Sequence, residues 1–480
     1  MPVRTEHKLY QKRKKDWELI RDCIEGEDAI KNAGIKYLPM AICRTKFETE
    51  MRYNAYRKRA RFVNYTEVTR NILQGLVFRK KVTAEIPEGL KSIYNDVDRQ
   101  GTAFQEFATD VFKDLLATSF GGVLADLPAV NGEISMKEAE DLNIRTYLTY
   151  YPAEDIINWK YGVSNGKKQL VQVVLREKVE IPINDFQSNE IEQYRVLELR
   201  GGVYQQKLYI PATDGNAWNI VEIPITTAKG EFLDFIPFVT LGSKEPMKPM
   251  LLDLAKLNIG HYQKIADYEN GIHYTTIPTG YVTGHRRVID EDTGEEEPIV
   301  LGGDSFLVFE EPDAKVGTLC FAGEGLEHSE KAITMAEQNI RTMGRRIVTP
   351  DSTRSAEAAM VDQEAENANL ATFVNKVSLQ FTKLFKMVAC MENVEYEEIW
   401  IKLCTDYNSK AFDPNGLNAI ANLAEAGRWP LPYIFEVMQN GELAPADSNL
   451  KEYITLLDFE ANGASPMEVY EAYKTLRKER

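Results

Sequence analysis

Apolar residues step by three and four along several long stretches of this chain and alternate with polar ones along others, and the two patterns are segregated. Residues 8–32 read as a charged helix with Trp17, Leu19, Ile20 and Ile24 as apolar contacts. Residues 47–80 form a second helical region, broken near Val63-Asn64. A third helix covers about 103–118, where Phe104, Phe107, Ala108, Val111, Leu115 and Leu116 fall at helical spacing. Gly121-Gly122 is expected to stop it, with VLADLP following as a strand. From 145 to 241 the period changes to two, in TYLTYYP, QLVQVVLREKVEI, QYRVLELR, VYQQKLYIP and FIPFVTLG, with Gly201-Gly202 as a hairpin turn. Residues 1–248 therefore read as one α+β unit with a mainly antiparallel sheet.

The second half returns to helices. Over 250–274, Leu254, Leu257, His261, Ile265, Tyr268 and Ile272 form one stripe, and Pro278 ends the helical region. Residues 279–318 look like strands, with a turn, DEDTGEEE, that holds six acids in eight positions. A packed interior does not hold that many unpaired carboxylates, so this tip belongs in water or against a basic partner. A helix at about 327–346 follows, striped by Ile333, Ala336, Ile340, Met343 and Ile347. A polar loop, VTPDSTRS, spans 348–355, and Ser355 is placed to cap the next helix. That helix, about 356–391, carries Leu370, Val374, Val377, Phe381, Leu384 and Val388 on one side and would run roughly 50 Å. Short amphipathic helices occupy the rest: DPNGLNAIANLAEAG, PLPYIFEVMQNGE, about 448–461, and SPMEVYEAYKTLRKER.

Composition narrows the function classes. The net charge of −16 argues against a broad basic face that grips phosphates, but not against a protein that surrounds nucleic acid and lets it slide. The five cysteines show no metal-ligand or disulfide spacing, which points to a reducing compartment. The N-terminus MPVRTEHKLYQKRKK is not a secretory signal, and no run approaches the roughly 18 apolar residues of a membrane span. A soluble protein made in a cytoplasm is expected, with no membrane partner.

Catalytic signatures are missing. There is no G-x-x-x-x-G-K-[ST] loop, no G-x-G-x-x-G after a strand and no H-E-x-x-H, and the one G-x-S-x-G match, at Gly162–Gly166, lies in the strand-patterned region rather than between a strand and a helix. Residues 258–284, NIGHYQKIADYENGIHYTTIPTGYVTG, do look like an active site, with two histidines among tyrosines and amides. Yet His261 and His273 are twelve apart on one helix, about 18 Å, and cannot share a small ion; His285 lies beyond the helix. Packing or a subunit contact explains them better than catalysis. Asp126, at the end of GVLAD, is the carboxylate an intracellular hydrolase would pair with a histidine, although such a residue is more often a turn-former. The cluster Arg57, Lys58, Arg59 and Arg61 is a solvated helix face or a contact for nucleic acid or an acidic neighbour. No cofactor, metal or catalytic residue is assigned.

The order of parts, and three segments in particular, resemble the portal proteins of tailed bacteriophages. LLDLAKLNIGHYQKIADYENGIHYTTIPTGYVTG is similar to the first stem helix of one branch and its exit into the clip; GEGLEHSEKAITMAEQNIRTMGRRIV is similar to the returning stem helix; FDPNGLNAIANLAEAGRWP resembles the same branch's C-terminal region. The resemblance implies a mainly helical α+β portal-like fold. Its parts would be an antiparallel β wing at 1–248, stem helices at 249–274 and 326–347, and a small β-containing clip at 275–325. A tunnel loop at 348–355, a long spine helix at 356–392 and a crown of C-terminal helices at 393–480 would follow.

It implies a non-enzymatic ring, usually of twelve copies, at one capsid vertex of the virion, assembled in the host cytoplasm. Double-stranded DNA would pass through it without sequence recognition. The partners implied are the terminase large subunit, a neck or adaptor protein, and the major capsid and scaffold proteins. Candidate tunnel contacts are Thr349, Asp351, Ser352, Thr353 and Arg354 in the loop and Lys256, Lys264, Arg341 and Arg345 on the stem. Candidate docking residues on the clip are Asp290, Glu291, Asp292, Glu295, Glu296 and Glu297. Other head-tail components, an adaptor or a minor capsid protein, are the alternative, and an intracellular hydrolase is a more distant one.

Overall fold

A computed structural model of the chain describes residues 3–40, 46–128, 143–164, 166–212, 217–223, 225–227, 230–276, 279–284, 313–319, 324–348, 356–395, 398–405, 407, 450–463 and 465–478, with single positions at 422, 433, 435 and 438. Where one helix was expected over 8–32 there are two, α1 (Lys8–Glu25) and α2 (Glu27–Ala33). Gly26 separates them at φ 105, a conformation that L side chains resist. Next come α3 (Lys46–Arg59) and α4 (Tyr65–Val77), parted at the expected break. There the Asn64 side chain caps α4 by accepting from the Glu67 N–H at 2.9 Å. A short strand β1 (Thr83–Glu85), a turn of helix α5 (Lys91–Asn95) and α6 (Phe104–Thr118) follow.

The stop of α6 differs from expectation. Ser119, in the left-handed region at φ 54, ends the helix. Gly121 and Gly122 instead open β2 (Gly121–Asp126), where rings from the neighbouring strands lie over them. A Cβ on Gly122 would stand 2.1 Å from the Phe238 ring, and one on Gly121 2.6 Å from the Tyr150 hydroxyl.

Seven further strands complete the N-terminal body: β3 (Tyr147–Pro152), β4 (Ile156–Ser164), β5 (Lys167–Asn184), β6 (Gln187–Arg200), β7 (Val203–Pro211), β8 (Trp218–Ile223) and β9 (Phe238–Leu241). They form two antiparallel sheets, β3-β2-β9 and the meander β4-β5-β6-β7-β8. Gly201 and Gly202, at φ 60 and 84, make the two-residue turn between Arg200 and Val203. The β5–β6 ribbon outruns its neighbours and ends at Phe186, which is 97% exposed.

The second half runs α7 (Leu252–Thr276), β10 (Thr279–Thr283), β11 (Lys315–Leu319), α8 (Glu324–Val348), α9 (Ala356–Glu392), β12 (Trp400–Lys402), α10 (Leu450–Ala461) and α11 (Pro466–Lys478). Helix and antiparallel sheet together make the chain α+β. The stripe expected on α9 is buried at every position from Leu370 to Val388, inside the core of the N-terminal body. Phe104 stands edge-on to Phe381 and Phe385 at 5.2 and 5.1 Å. At roughly 1.5–3 kcal/mol per fully buried large side chain, these three rings contribute on the order of 6 kcal/mol. β12 then pairs with β1, tying the chain after α9 back to the N-terminal body.

Candidate functional site

α7 and α8 form an antiparallel pair, each of 25 residues and so about 37 Å long, bridged at one end by the β10–β11 pairing from Thr279↔Leu319 to Thr283↔Lys315. The helices approach closely at Gly271, where an added Cβ would sit 2.9 Å from Leu326 Cδ2. In the strands the Tyr281 ring covers Gly317, which leaves the room it needs. The expected α8 stripe is observed: Ile340 is buried, and Ile333, Ala336 and Met343 are half-buried. Pro278, the expected stop of α7, lies outside the described residues, although the helix ends at Thr276 just before it.

The first half of α7 is fixed to the N-terminal body by a buried polar clamp. The Asn258 side-chain oxygen accepts from the Thr66 N–H at 3.1 Å and from the Thr66 hydroxyl at 3.0 Å, while its nitrogen donates to the Val63 carbonyl at 2.8 Å. Around it, Ile259, Tyr262 and Ala266 pack with Ile20, Cys23, Leu38 and Phe62 in a second core. Gln263 donates to the Tyr37 carbonyl, and the Tyr56 hydroxyl to Asp267. One member of the basic cluster, Arg59, belongs to this joint, and Arg57 is held within the N-terminal body. Arg59 donates to the Asn270 side chain at 2.9 Å, and Arg57 to the Lys31 carbonyl at 3.3 Å, whereas Lys58 and Arg61 are exposed.

The histidines do not converge. His261 is buried between the two helices, edge-on to Tyr65 at 5.3 Å, with Nε2 3.5 Å from Glu337. Burial lowers its pKa, and the Glu337 carboxylate opposes the shift. His273 stands against Tyr274, and His285 lies outside the described residues. Asp126 has no histidine partner among the described contacts. It accepts from Arg195 and Tyr147, both at 3.2 Å, from Gln206 at 3.4 Å, and from the Leu127 N–H. Burial pushes its carboxyl up, with Arg195 opposing. Arg195 also pairs with Glu177, which accepts from Tyr151 and Gln193, so the group is a cross-braced network between the two sheets. Among the described residues, no group of three His, Cys, Asp or Glu could hold a metal. No described helix is long and apolar enough to cross a membrane.

Of the candidate tunnel cations, Lys256, Lys264 and Arg341 are exposed on the helical pair, and Arg341 lies 3.6 Å from Glu337. Arg345 is in α8, but its side chain lies outside the described residues. So do the loop residues Thr349, Asp351, Ser352, Thr353 and Arg354, and the acids Asp290, Glu291, Asp292, Glu295, Glu296 and Glu297. Asn258 was missed by sequence reasoning. Its signal was an amide four residues after Leu254, inside an otherwise apolar helix face.

A family model described as a domain of unknown function, DUF4055, matches residues 250–391. That segment covers α7, β10, β11 and α8 and all of α9 but its last residue. A comparison with curated proteins finds no significant match. Among solved structures, the chain is similar to one from the neck of a native GTA particle computed with C12 symmetry, with 9% identity over 78% of this chain and 89% of that one and a TM-score of 0.32. It is also similar to one from the virion of a native gene transfer agent (GTA) particle, with 11% identity over 84% of this chain and 94% of that one and a TM-score of 0.32.

Proposed function

We propose that this chain is a portal-type subunit: one of a ring of identical copies around a channel for double-stranded DNA at a capsid vertex. The observation that carries the reading is the antiparallel α7–α8 excursion bridged by the β10–β11 pairing, followed by a long helix rooted in the N-terminal body. It rests on this geometry and on the sequence resemblance, not on the structural neighbours. An antiparallel rod pair leaves its outer faces for the next copy, and Tyr274 and Met335 are exposed apolar residues on those rods. A head-to-tail contact of that kind closes into a ring when its rotation closes. An acidic chain repels phosphate on average, so DNA moves through without adhering.

In this reading Lys256, Lys264, Arg341 and Arg345 meet phosphates transiently. Residues 348–355 form the tunnel loop, and the six acids at 290–297 dock the packaging motor and, later, the neck. The wing, stem, clip, spine and crown assignments follow the same boundaries as the sequence resemblance.

Negative-stain imaging and native mass measurement of the purified chain test the reading. A ring with an axial hole, of about twelve copies, is expected. A species that stays monomeric at high concentration ends the proposal. Deleting residues 349–354 is expected to leave the ring intact and to impair packaging or retention of DNA; loss of the ring would remove the loop assignment. Labelling the subunit on intact particles separates a portal at the vertex from an adaptor or minor capsid protein elsewhere.

A further inference from the structure

A cleft of about 440 Å3 opens where the β4–β5 edge and β9 meet the C-terminal half of α9. Three lysines line it: Lys168 from β5, Lys244 just after β9, and Lys383 from α9. No aspartate or glutamate is among its lining residues. This runs against the composition, since acids outnumber bases 73 to 57 in the chain. Elsewhere in the same body lysines find carboxylates: Lys14 pairs with Glu6, Lys36 with Glu18 and Asp22, and Lys207 with Glu198 and Glu222. Lys168, Lys244 and Lys383 have no such pair among the described residues.

The simplest alternative is three solvated lysines at a rim, and all three are exposed. Two features favour a built site. The Lys244 ammonium is held 4.2 Å over the Tyr161 ring, which also lines the cleft. Gln380 is held by the Gly242 N–H, which donates to its side-chain oxygen at 2.8 Å. Among the described residues the two N–H donors of that amide meet no acceptor, which leaves them for a ligand that accepts hydrogen bonds. Surrounding protein and then the Lys244 ammonium hold the Lys383 amine below the ordinary lysine range. The negative charge of a bound anion would oppose both effects by favouring the charged amine. The volume suits a small ligand and excludes a nucleic-acid duplex.

We propose that this cleft binds a phosphate-class oxyanion through Lys168, Lys244, Lys383 and Gln380, and that the bound anion ties the sheet edge to α9. Free phosphate and the phosphoryl end of a mononucleotide share this chemistry. The inference is independent of the channel proposal, since it concerns a cleft within one subunit.

The test replaces chloride by inorganic phosphate, or by adenosine monophosphate, at constant ionic strength. A saturable rise in thermal midpoint is expected in the wild-type chain and is lost in the doubly substituted Lys244→Met, Lys383→Met chain. A higher apparent affinity for the nucleotide assigns the phosphoryl end of a larger ligand, and equal affinities assign free phosphate. A second readout uses only the wild type. Acylation of the Lys383 amine, followed by peptide mass mapping, should slow about tenfold at ten times the dissociation constant, where about one site in eleven is free. An equal midpoint rise in the substituted chain overturns the proposal, as does unchanged Lys383 acylation in saturating phosphate.

Discussion

Replacing Asn258 by leucine should loosen the joint between α7 and the N-terminal body. The substitution keeps the forked shape of the side chain with bulkier ends and removes three hydrogen bonds. The Thr66 hydroxyl can rotate away and the Val63 carbonyl still accepts from the Tyr65 N–H at 3.0 Å, but the Thr66 N–H stays behind without its partner. Asn258 and Thr66 are both fully buried, so the orphaned Thr66 N–H gains no water without movement of the helix. At about 2 kcal/mol for the orphaned Thr66 N–H and about 1 kcal/mol for the lost bond to the Val63 carbonyl the loss is about 3 kcal/mol, and the added apolar burial of leucine returns about 1 kcal/mol. A net destabilisation of about 2 kcal/mol is expected. Urea unfolding followed by tryptophan fluorescence reads it as a lower midpoint at constant slope. Asn258→Asp is a stringent companion, because it keeps an acceptor for Thr66 but sets a second oxygen against the Val63 carbonyl. If Asn258→Leu unfolds within about 0.5 kcal/mol of the wild type, the range of an ordinary surface change, the clamp does not hold α7 and the reasoning fails.

Three further outcomes follow from the same geometry. His261 has a folded pKa below its unfolded value of 6.5, so the unfolded chain takes up the proton first and stability falls as pH drops through that region. Urea midpoints at pH 7.5 and 5.5 should therefore converge in His261→Phe relative to wild type, and equal pH dependence in both chains would contradict the burial argument. Gly242→Ala should cost at least about 2 kcal/mol, since Gly242 sits at φ 72 and the new Cβ would meet the Ser119 carbonyl oxygen at 2.8 Å; calorimetry measures it, and a neutral result would show that the loop adapts. Phe186→Ser, at the exposed tip of the β5–β6 ribbon, should leave subunit stability within about 0.5 kcal/mol of wild type in thermal unfolding, and a larger loss would mean that the ring packs within its own subunit.

The sequence showed most where periodicity was long and local. The stripes of α8 and α9, and the break before α4, were legible because each is set by residues a few positions apart. β4 was missed although Asn165-Gly166 follows it, a dipeptide that favours a tight hairpin. Its run, IINWKYGVS, mixes polar and apolar residues too freely to show alternation. The β1–β12 pairing joins residues more than three hundred positions apart in strands of three residues each, and no local pattern encodes it. Arg57 and Arg59 look like solvated charge on α3, and only the arrival of α7 gives Arg59 its partner in Asn270. Ser119 ends α6 because strand β2 must begin at once beneath Tyr150 and Phe238, which moves the two glycines from stopping the helix to seating rings. For Asp126, the strand-end position was visible in the sequence, but its cross-strand partner Arg195 was not.

The equal lengths of α7 and α8 have a mechanical corollary. His261 faces Glu337 and Gly271 faces Leu326, so the two rods run in matched counter-register. Taking seven residues from facing stretches of each, nearly two turns, would draw the β10–β11 pairing inward by about 10 Å while the same sides kept meeting. The pair is thus a depth gauge, whose reading evolution or an engineer can reset by trimming both arms alike.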